Sequence, residues 1–372
     1  MVSVPDRGRA ASGYYLPQFH PIKENDEWWG KGFTEWTNVG KAQPLFRGHY
    51  QPKVPADLGY YDLRVPEVAE QQAALAQEAG VTGFCYWHYW LGNGRKLLEM
   101  PSERMIATGK PDFPFCFSWA NHNWFSKSWT PGGTDKLLAE QTYPGPEDVD
   151  AHFYYCLPAF KDKRYMRYND RPVFMIFNIT KIPDVDKFIE RWNYLIKKEE
   201  VAERMYFVAN IFSEDFYDSV ISKGFDAVTL NVNARKNYSP GIIGRGVDFV
   251  KRFLPASLNN SFGPQRVEYT KLISSAWHQG VHDRNEIIPE MLPNWDHTPR
   301  SGKAGSVYVN ATPENFYKMA HKIISEVNKK QNKLIILKSW NEWGEGNYME
   351  PDLKYGRGYI EELRKTLSNN DF

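Results

Sequence analysis

Glu342 and Glu345 stand three residues apart in LIILKSWNEWGEGNYMEP, the stretch from Leu334 to Pro351. Gly344 lies between them and Gly346 follows, so the backbone can turn sharply and aim both carboxylates into one space. Two carboxyl groups held close titrate apart, one keeping its proton while the other ionises. Such a pair can break an acetal, and the indoles of Trp340 and Trp343 offer flat faces on which sugar rings stack. Taken singly, each of these residues has a plainer reading: a solvated glutamate at a strand end, or a core tryptophan. The gathering of Trp340, Asn341, Glu342, Trp343, Glu345 and Tyr348 in one short stretch is what favours chemistry.

The elements that must position this stretch follow from the apolar pattern. Leu334–Leu337 is a continuous apolar run with two β-branched members, as in a strand buried on both faces. Seven further runs precede it: Gly13–Leu16, Val81–Trp90, Pro114–Asn121, Arg171–Asn178, Met205–Phe212, Phe225–Asn231 and, less cleanly, Glu286–Asp296. Amphipathic segments lie between them, over Pro66–Ala79, Lys96–Thr108, Glu147–Lys161, Asp184–Lys198, Glu214–Lys223, Val267–Gln279 and Pro313–Lys329, with a last helix after Gly358. Strict alternation of strand and helix implies parallel pairing with right-handed crossovers. Eight such units predict a single (β/α)8 TIM barrel over residues 1–372, with residues 1–11 disordered or tag-like. An open sheet would carry a Gly-rich turn after its first strand, and PQFHP stands there instead. The long irregular segments Phe19–Arg64, Asn123–Pro146 and Asn233–Gln265 all follow strands, which puts them on the catalytic face.

The strand ends carry carboxamides, histidines and indoles. They are Gln18 and His20; His88 and Trp90; Trp119, Asn121, His122, Asn123 and Trp124; Asn178; Asn210; Asn231; Trp295 and Asp296; and Asn341, Glu342 and Glu345. Amide groups can bond neighbouring sugar hydroxyls. Asn178 and Asn210 have an equally good reading as helix caps. The first long loop adds Glu35 and Trp36 as an outer wall, and Trp28 and Trp29, which suit packing over the barrel mouth better than binding.

Composition narrows the partners. The chain has 46 basic and 45 acidic residues, so neither nucleic acid nor an anionic membrane surface is implied. No stretch reaches the ~20 apolar residues of a membrane span, and MVSVPDRGRAAS lacks a secretory core, so a cytoplasmic protein is expected. Aromatic residues make up 15%, an excess that suits both carbohydrate sites and large aromatic cores. Cys85, Cys116 and Cys156 are too sparse for a disulfide framework, and Cys85 and Cys116, inside apolar runs, read as buried, inert thiols. No HExxH, P-loop or GxSxG occurs, so no metal and no cofactor is expected. Asp148-Val149-Asp150 and Asp184-Val185-Asp186 match a metal-binding pattern of nucleotide-sugar transferases, but they sit at helix starts, where Asp complements the dipole.

The segments YYLPQFHPIKENDEWWGKGFTEWTNV, PADLGYYDLR, GFCYWHYW, PFCFSWANHNW, NWDHTPR and SWNEWGEGNYMEP together resemble the WbsX-like proteins of polysaccharide biosynthesis, commonly labelled glycosyltransferases. The resemblance spans nearly the whole chain. More distantly, NEWGEG is similar to NEWHEG of the glycoside hydrolase family 99 endo-α-mannosidases. That likeness implies Glu342 as the base on the sugar 2-hydroxyl and Glu345 as general acid/base at the leaving oxygen. It also implies a retaining route through a 1,2-anhydro sugar. Gly344 replaces the hydrolase's His, and His122 replaces the Glu of the usual WANEN run. The expectation is a retaining, endo-acting glycoside hydrolase on an α-linked bacterial polysaccharide or oligosaccharide. The alternatives are a WbsX-type glycosyltransferase in O-antigen, capsule or lipopolysaccharide synthesis, and a non-catalytic carbohydrate-binding barrel stacking sugars on Trp119, Trp295 and Trp343.

Overall fold

Each apolar run becomes a strand, and each amphipathic run a helix that returns the chain to the start of the next strand. The computed structural model describes residues 10–126, 135–230 and 263–369. Nine parallel strands form a nearly closed barrel: β1 (Ala10–Tyr15), β2 (Gly83–Trp90), β3 (Phe115–Trp119), β4 (Arg171–Ile176), β5 (Tyr206–Ile211), β6 (Ala227–Leu230), β7 (Ile287–Ile288), β8 (Glu290–Met291) and β9 (Leu334–Leu337). Their spatial order is β7-β6-β5-β4-β3-β2-β1-β9-β8.

The nine strands make eight staves. Only Pro289 separates β7 from β8. Proline has no N–H to give a ladder, so the stave breaks there. Val228 pairs with Ile287 on one side, and Glu290 pairs with Ile336 on the other. The Pro289 carbonyl accepts from Ile336 N at 3.0 Å and carries the closure across the break. The remaining registers, such as Ala10 with Leu334 and Ser12 with Gly83, are parallel throughout. Ala10 and Ala11 are buried members of β1, so the expected disorder of residues 1–11 does not extend to them.

The helix layer comprises α1 (Pro66–Glu78), α2 (Met100–Thr108), α3 (Pro146–Phe160), α4 (Val185–Lys198), α5 (Tyr217–Ile221), α6 (Tyr269–Ser274), α7 (Pro313–Val327) and α8 (Gly358–Asn369). In α4, Val185, Phe188, Ile189, Trp192, Leu195 and Ile196 repeat at helical spacing and are all buried. Each large apolar side chain buried this way contributes roughly 1.5–3 kcal/mol. Thr312 caps α7 by accepting from Asn315 N at 3.3 Å, with Pro313 preset for the first turn. Gly109, in the left-handed region at φ 73°, ends α2. The acidic residues near Asp148 and Asp186 lie in the first turns of α3 and α4, as the dipole argument anticipates. Lys96 and Leu97 depart from the expected helix and pair antiparallel with Trp90 and Tyr89.

All three cysteines are free and buried, and burial raises the Cys85 and Cys156 thiols. Among the described residues no helix is long and apolar enough to cross a membrane.

Candidate active site

The chain leaving β9 forms a tight hairpin at the C-terminal end of the barrel. Asn341–Glu342 pairs antiparallel with Asn347–Tyr348, and a 3-10 turn over Trp343–Glu345 joins them. Gly346 closes that turn at φ 53°, a left-handed conformation that a β-carbon makes costly. Asn341 pins the hairpin to β1: its Oδ1 accepts from Leu16 N at 2.7 Å, and its Nδ2 donates to Leu16 O at 3.1 Å. Behind the turn lies a buried carboxyl, Glu350, which accepts from Trp343 Nε1 (2.7 Å), Gln72 Nε2 (2.6 Å) and Tyr61 OH (3.0 Å). Burial pushes Glu350 up to about 7 in spite of these donors.

Glu342 and Glu345 meet on one cation. Arg300 Nη1 donates to Glu345 Oε1 at 2.6 Å and to Glu342 Oε1 at 3.3 Å. Its Nε donates to Glu35 Oε2 at 3.1 Å. Glu35 sits at the start of a short helix over Glu35–Gly40, held by its backbone N–H on Gln18 O at 3.1 Å. Gly344 makes this arrangement possible. A β-carbon there would overlap Glu35 Oε2 and crowd Arg300 Nε.

The electrostatics divide the pair. Burial, then the charge of Glu345, push the Glu342 carboxyl up to about 7, while Arg300 and Lys338 oppose the rise. Burial would lower Arg300, but Glu35, Glu345 and Glu342 hold it protonated well above its usual range. His297 Nε2 is 3.6 Å from Glu345 Oε1, and burial together with Arg300 lowers that imidazole to about 4, so it is neutral near pH 7. Ser339 Oγ donates to Glu342 Oε2 at 3.3 Å. Tyr89, inward on β2, lies in the field of Glu342, Arg300, Glu35 and Glu345.

The other sequence-derived candidates divide into three groups. Glu35 joins the carboxylates, and Gln18 borders them through its backbone. Several others tie loops together. Asp296 Oδ2 accepts from His49 Nε2 and Gln51 Nε2, both at 2.7 Å, and Oδ1 accepts from Thr298 N (3.0 Å) and Thr298 Oγ1 (2.6 Å). Burial alone would raise this carboxyl. The bonds from His49 and Thr298 and the charge of Lys53 outweigh it and hold Asp296 down at about 2. With both oxygens doubly bonded within the protein, Asp296 is a scaffold group, which corrects the expectation that it binds substrate. Asn121 likewise spends its amide on Asn178 N and O, each at 2.7 Å. Asn178 Oδ1 accepts from Thr180 Oγ1 at 2.8 Å. Trp36 donates to Tyr61 O at 2.7 Å, and Trp295 donates to Ser306 Oγ at 3.0 Å with its ring stacked on His297.

Among the described residues, the side chains of the third group make no hydrogen bond or ion pair with Glu342 or Glu345. Trp340, Trp343 and Trp119 are fully enclosed, so the sugar-stacking faces expected of them do not exist. Trp343 stacks on Tyr348 at 3.8 Å, and Trp119 Nε1 donates to Trp90 O at 2.8 Å. His88 and Trp90 point out into the helix layer against His152 of α3. His20 lies among Asp62, Arg64 and Arg104, where burial lowers it to about 4. Asn210 points into the barrel interior beside Tyr14. His122 and Trp124 stand at the mouth, next to Phe177 and Tyr89 respectively. Asn231 lies outside the described residues.

One metal-like group exists among the described residues. Ligand-type atoms of His88, His152 and Cys156 lie within 4.8 Å of one another. The two Nε2 atoms are 2.8 Å apart, a hydrogen-bond distance. Two nitrogens on a tetrahedral zinc keep a wider gap of about 3.3 Å. The group therefore reads as a neutral histidine pair in an aromatic layer.

Sequence reasoning overlooked Arg300, His297, Tyr89 and Glu350. Arg300 and His297 were visible only as members of NWDHTPR, and no spacing signal connects them to Glu35.

Solved structures with this architecture include one described as a glycoside hydrolase-like protein, with TM-score 0.60 and 15% identity over 96% of this chain and 94% of that one. Another is the GH99 endo-alpha-mannosidase from Bacteroides thetaiotaomicron, with TM-score 0.52 and 15% identity over 98% of this chain and 97% of that one. These likenesses support the barrel. By sequence, the chain is 32% identical over 361 residues to the uncharacterized protein WxcX of Xanthomonas campestris pv. campestris, covering 95% of this chain and 49% of that protein. The chain thus spans about half the length of the curated relatives it matches. The sequence model described as Glycosyltransferase WbsX matches residues 11–363, and on that match the chain belongs to the WbsX family.

Proposed function

We propose that this chain is a glycoside hydrolase that cleaves an α-linked bacterial poly- or oligosaccharide with retention, using Glu342 and Glu345. The observation that carries the proposal is the pair itself. Two carboxylates at the C-terminal mouth of a barrel share one guanidinium nitrogen, and one of them is pushed up to about 7. The two bonds to Arg300 Nη1 limit how far apart the Oε1 atoms can be. That limit is shorter than the ~6.5–9.5 Å separation of inverting pairs.

Glu342 acts as the base. A carboxyl titrating near neutrality takes up a proton more effectively than an ordinary one, and it is still ionised in a useful fraction. Glu345 protonates the departing oxygen. Arg300 Nη1 donates to Glu345 Oε1 in the free site, so entering substrate must displace that contact to reach the carboxyl. Arg300 then remains to balance charge on Glu35 and Glu342. Glu35 and Arg300 occupy the space that Gly344 leaves open.

Glu345→Gln is expected to lower turnover of α-linked oligosaccharides by roughly 10²–10⁴-fold. Binding, measured by calorimetry, should persist. Wild-type turnover by this variant would remove the proposal. The family's description favours a second reading, sugar transfer from a nucleotide donor. Thermal stabilisation by a nucleotide sugar, with no release of reducing ends from any glycan, would favour that reading instead.

A further inference from the structure

Trp119, Trp340 and Trp343 are enclosed, yet the barrel mouth presents another aromatic surface. Alternation along β2 turns Trp87 and Tyr89 inward. The Trp87 ring meets Phe177, the residue after β4, at 5.6 Å between centroids and 85° between planes. β3 separates β2 from β4, so this contact crosses the barrel interior. Phe177 in turn meets Phe212, the residue after β5, at 5.7 Å and 88°. Tyr14 backs Trp87 with its ring at 4.6 Å and 7°. His122 lies beside Phe177 at 5.5 Å, and its Nδ1 has no hydrogen-bond partner. The series rises from half-buried Trp87 and Phe177 to Phe212, which is 44% exposed.

We propose that Trp87, Phe177 and Phe212 form a platform for the sugar units of the glycan remote from the bond being cut. The inference rests on reading Glu342 and Glu345 as a sugar-cleaving pair. Three features support it. The series starts at the site, because Tyr89 is two residues beyond Trp87 on the same side of β2, about 7 Å along the strand, and lies in the field of both carboxylates. Successive rings meet edge to face, so neither phenyl is hidden by stacking on the next. The centroid spacing matches the advance of an extended glycan by one pyranose unit. An exposed phenylalanine at a rim is poorly hydrated, and the C–H face of a sugar ring would cover it.

The substrate is then a chain of several units, and affinity grows with length along the platform. The test separates binding from cleavage by working in the Glu345→Gln background. Binding of a ladder of α-linked manno- and gluco-oligosaccharides, from disaccharide to octasaccharide, is followed by tryptophan fluorescence and calorimetry. Adding Phe212→Ala should weaken the longest ligands by about tenfold, with a loss that shrinks as the ligand shortens. Phe177→Ala should act earlier in the ladder. Tyr194→Ala, which removes an exposed ring on α4 outside the barrel, serves as the control. An equal loss at every length, no loss, or no binding by any member of the ladder overturns the platform. Turnover by Glu345→Gln itself would instead overturn the assignment of the acid pair and leave the binding result standing.

Discussion

At the scale of single residues, the site depends on one cation and one missing β-carbon. Arg300 touches Glu35, Glu342 and Glu345, and it lowers Glu342 where burial and Glu345 raise it. If ionised Glu342 is the base, kcat/KM climbs with pH through about 7, because the carboxyl is protonated below that value. Removing the guanidinium with Arg300→Met should move this limb to higher pH. Glu345→Gln should move the limb of its residual activity to lower pH, since it deletes a neighbouring negative charge. Limbs that stay in place in both variants would show that another group controls the rate. Gly344→Ala should lower kcat/KM by at least about tenfold through its overlap with Glu35, and much of that loss should vanish when Glu35→Ala is added. The two sites are in contact, so their effects should be strongly non-additive.

At the scale of elements, the hairpin, the Gln51–Lys53 segment and the turn after Trp295 are fastened at Asp296. Its backbone N–H donates to Glu345 O at 2.7 Å, and Lys53 Nζ donates to Gly346 O at 3.3 Å. Asp296→Ala strands the partners of a buried charge and should cost about 3–5 kcal/mol in urea unfolding. A residue that merely touched substrate would leave unfolding unchanged. This element-scale role was not legible in the sequence, although the strand carrying it was. Apolar runs locate all eight staves, because burial on both faces demands them. The same burial hides direction. GFCYWHYW is aromatic at odd and even positions alike, so no alternation distinguishes mouth from helix layer. His88 and Trp90 therefore read as site residues, while Trp87 and Tyr89 face the mouth. Glu342 and Glu345 were legible as a neighbouring pair because Gly344 and Gly346 let the backbone turn sharply between carboxylates three residues apart. Arg300 was not, because its partners lie 265, 42 and 45 residues away.

At the scale of the whole molecule, the buried titratable groups set how stability follows pH. Among the described residues, five imidazoles are lowered, each chiefly by burial: His20 and His297 to about 4, His88 to about 3, and His122 and His152 in the same direction. Between about pH 4.5 and 6.5 the unfolded chain protonates these side chains, while the folded chain keeps His20, His88 and His297 neutral over most of the window and disfavours the charged form of His122 and His152. Glu342 and Glu350 work in the opposite sense, since each is raised to about 7 and holds a proton in the folded state that the unfolded chain has lost. The imidazoles outnumber the carboxyls, so the unfolded state binds more protons than the folded state across this window. Stability is therefore expected to rise with pH from about 4.5 to 6.5, with each net proton worth roughly 1.4 kcal/mol per pH unit. Above pH 6.5 the unfolded imidazoles give up the last of their protons while the two carboxyls ionise near 7, so the two contributions offset and the curve should flatten. Urea titrations at half-unit pH steps measure the slope directly. Glu350→Gln removes one opposing carboxyl and should steepen the rise. A stability curve that declines from pH 4.5 to 6.5 would mean that the histidines are charged inside the fold, and the aromatic layer around His88 and His152 would have to be open to water.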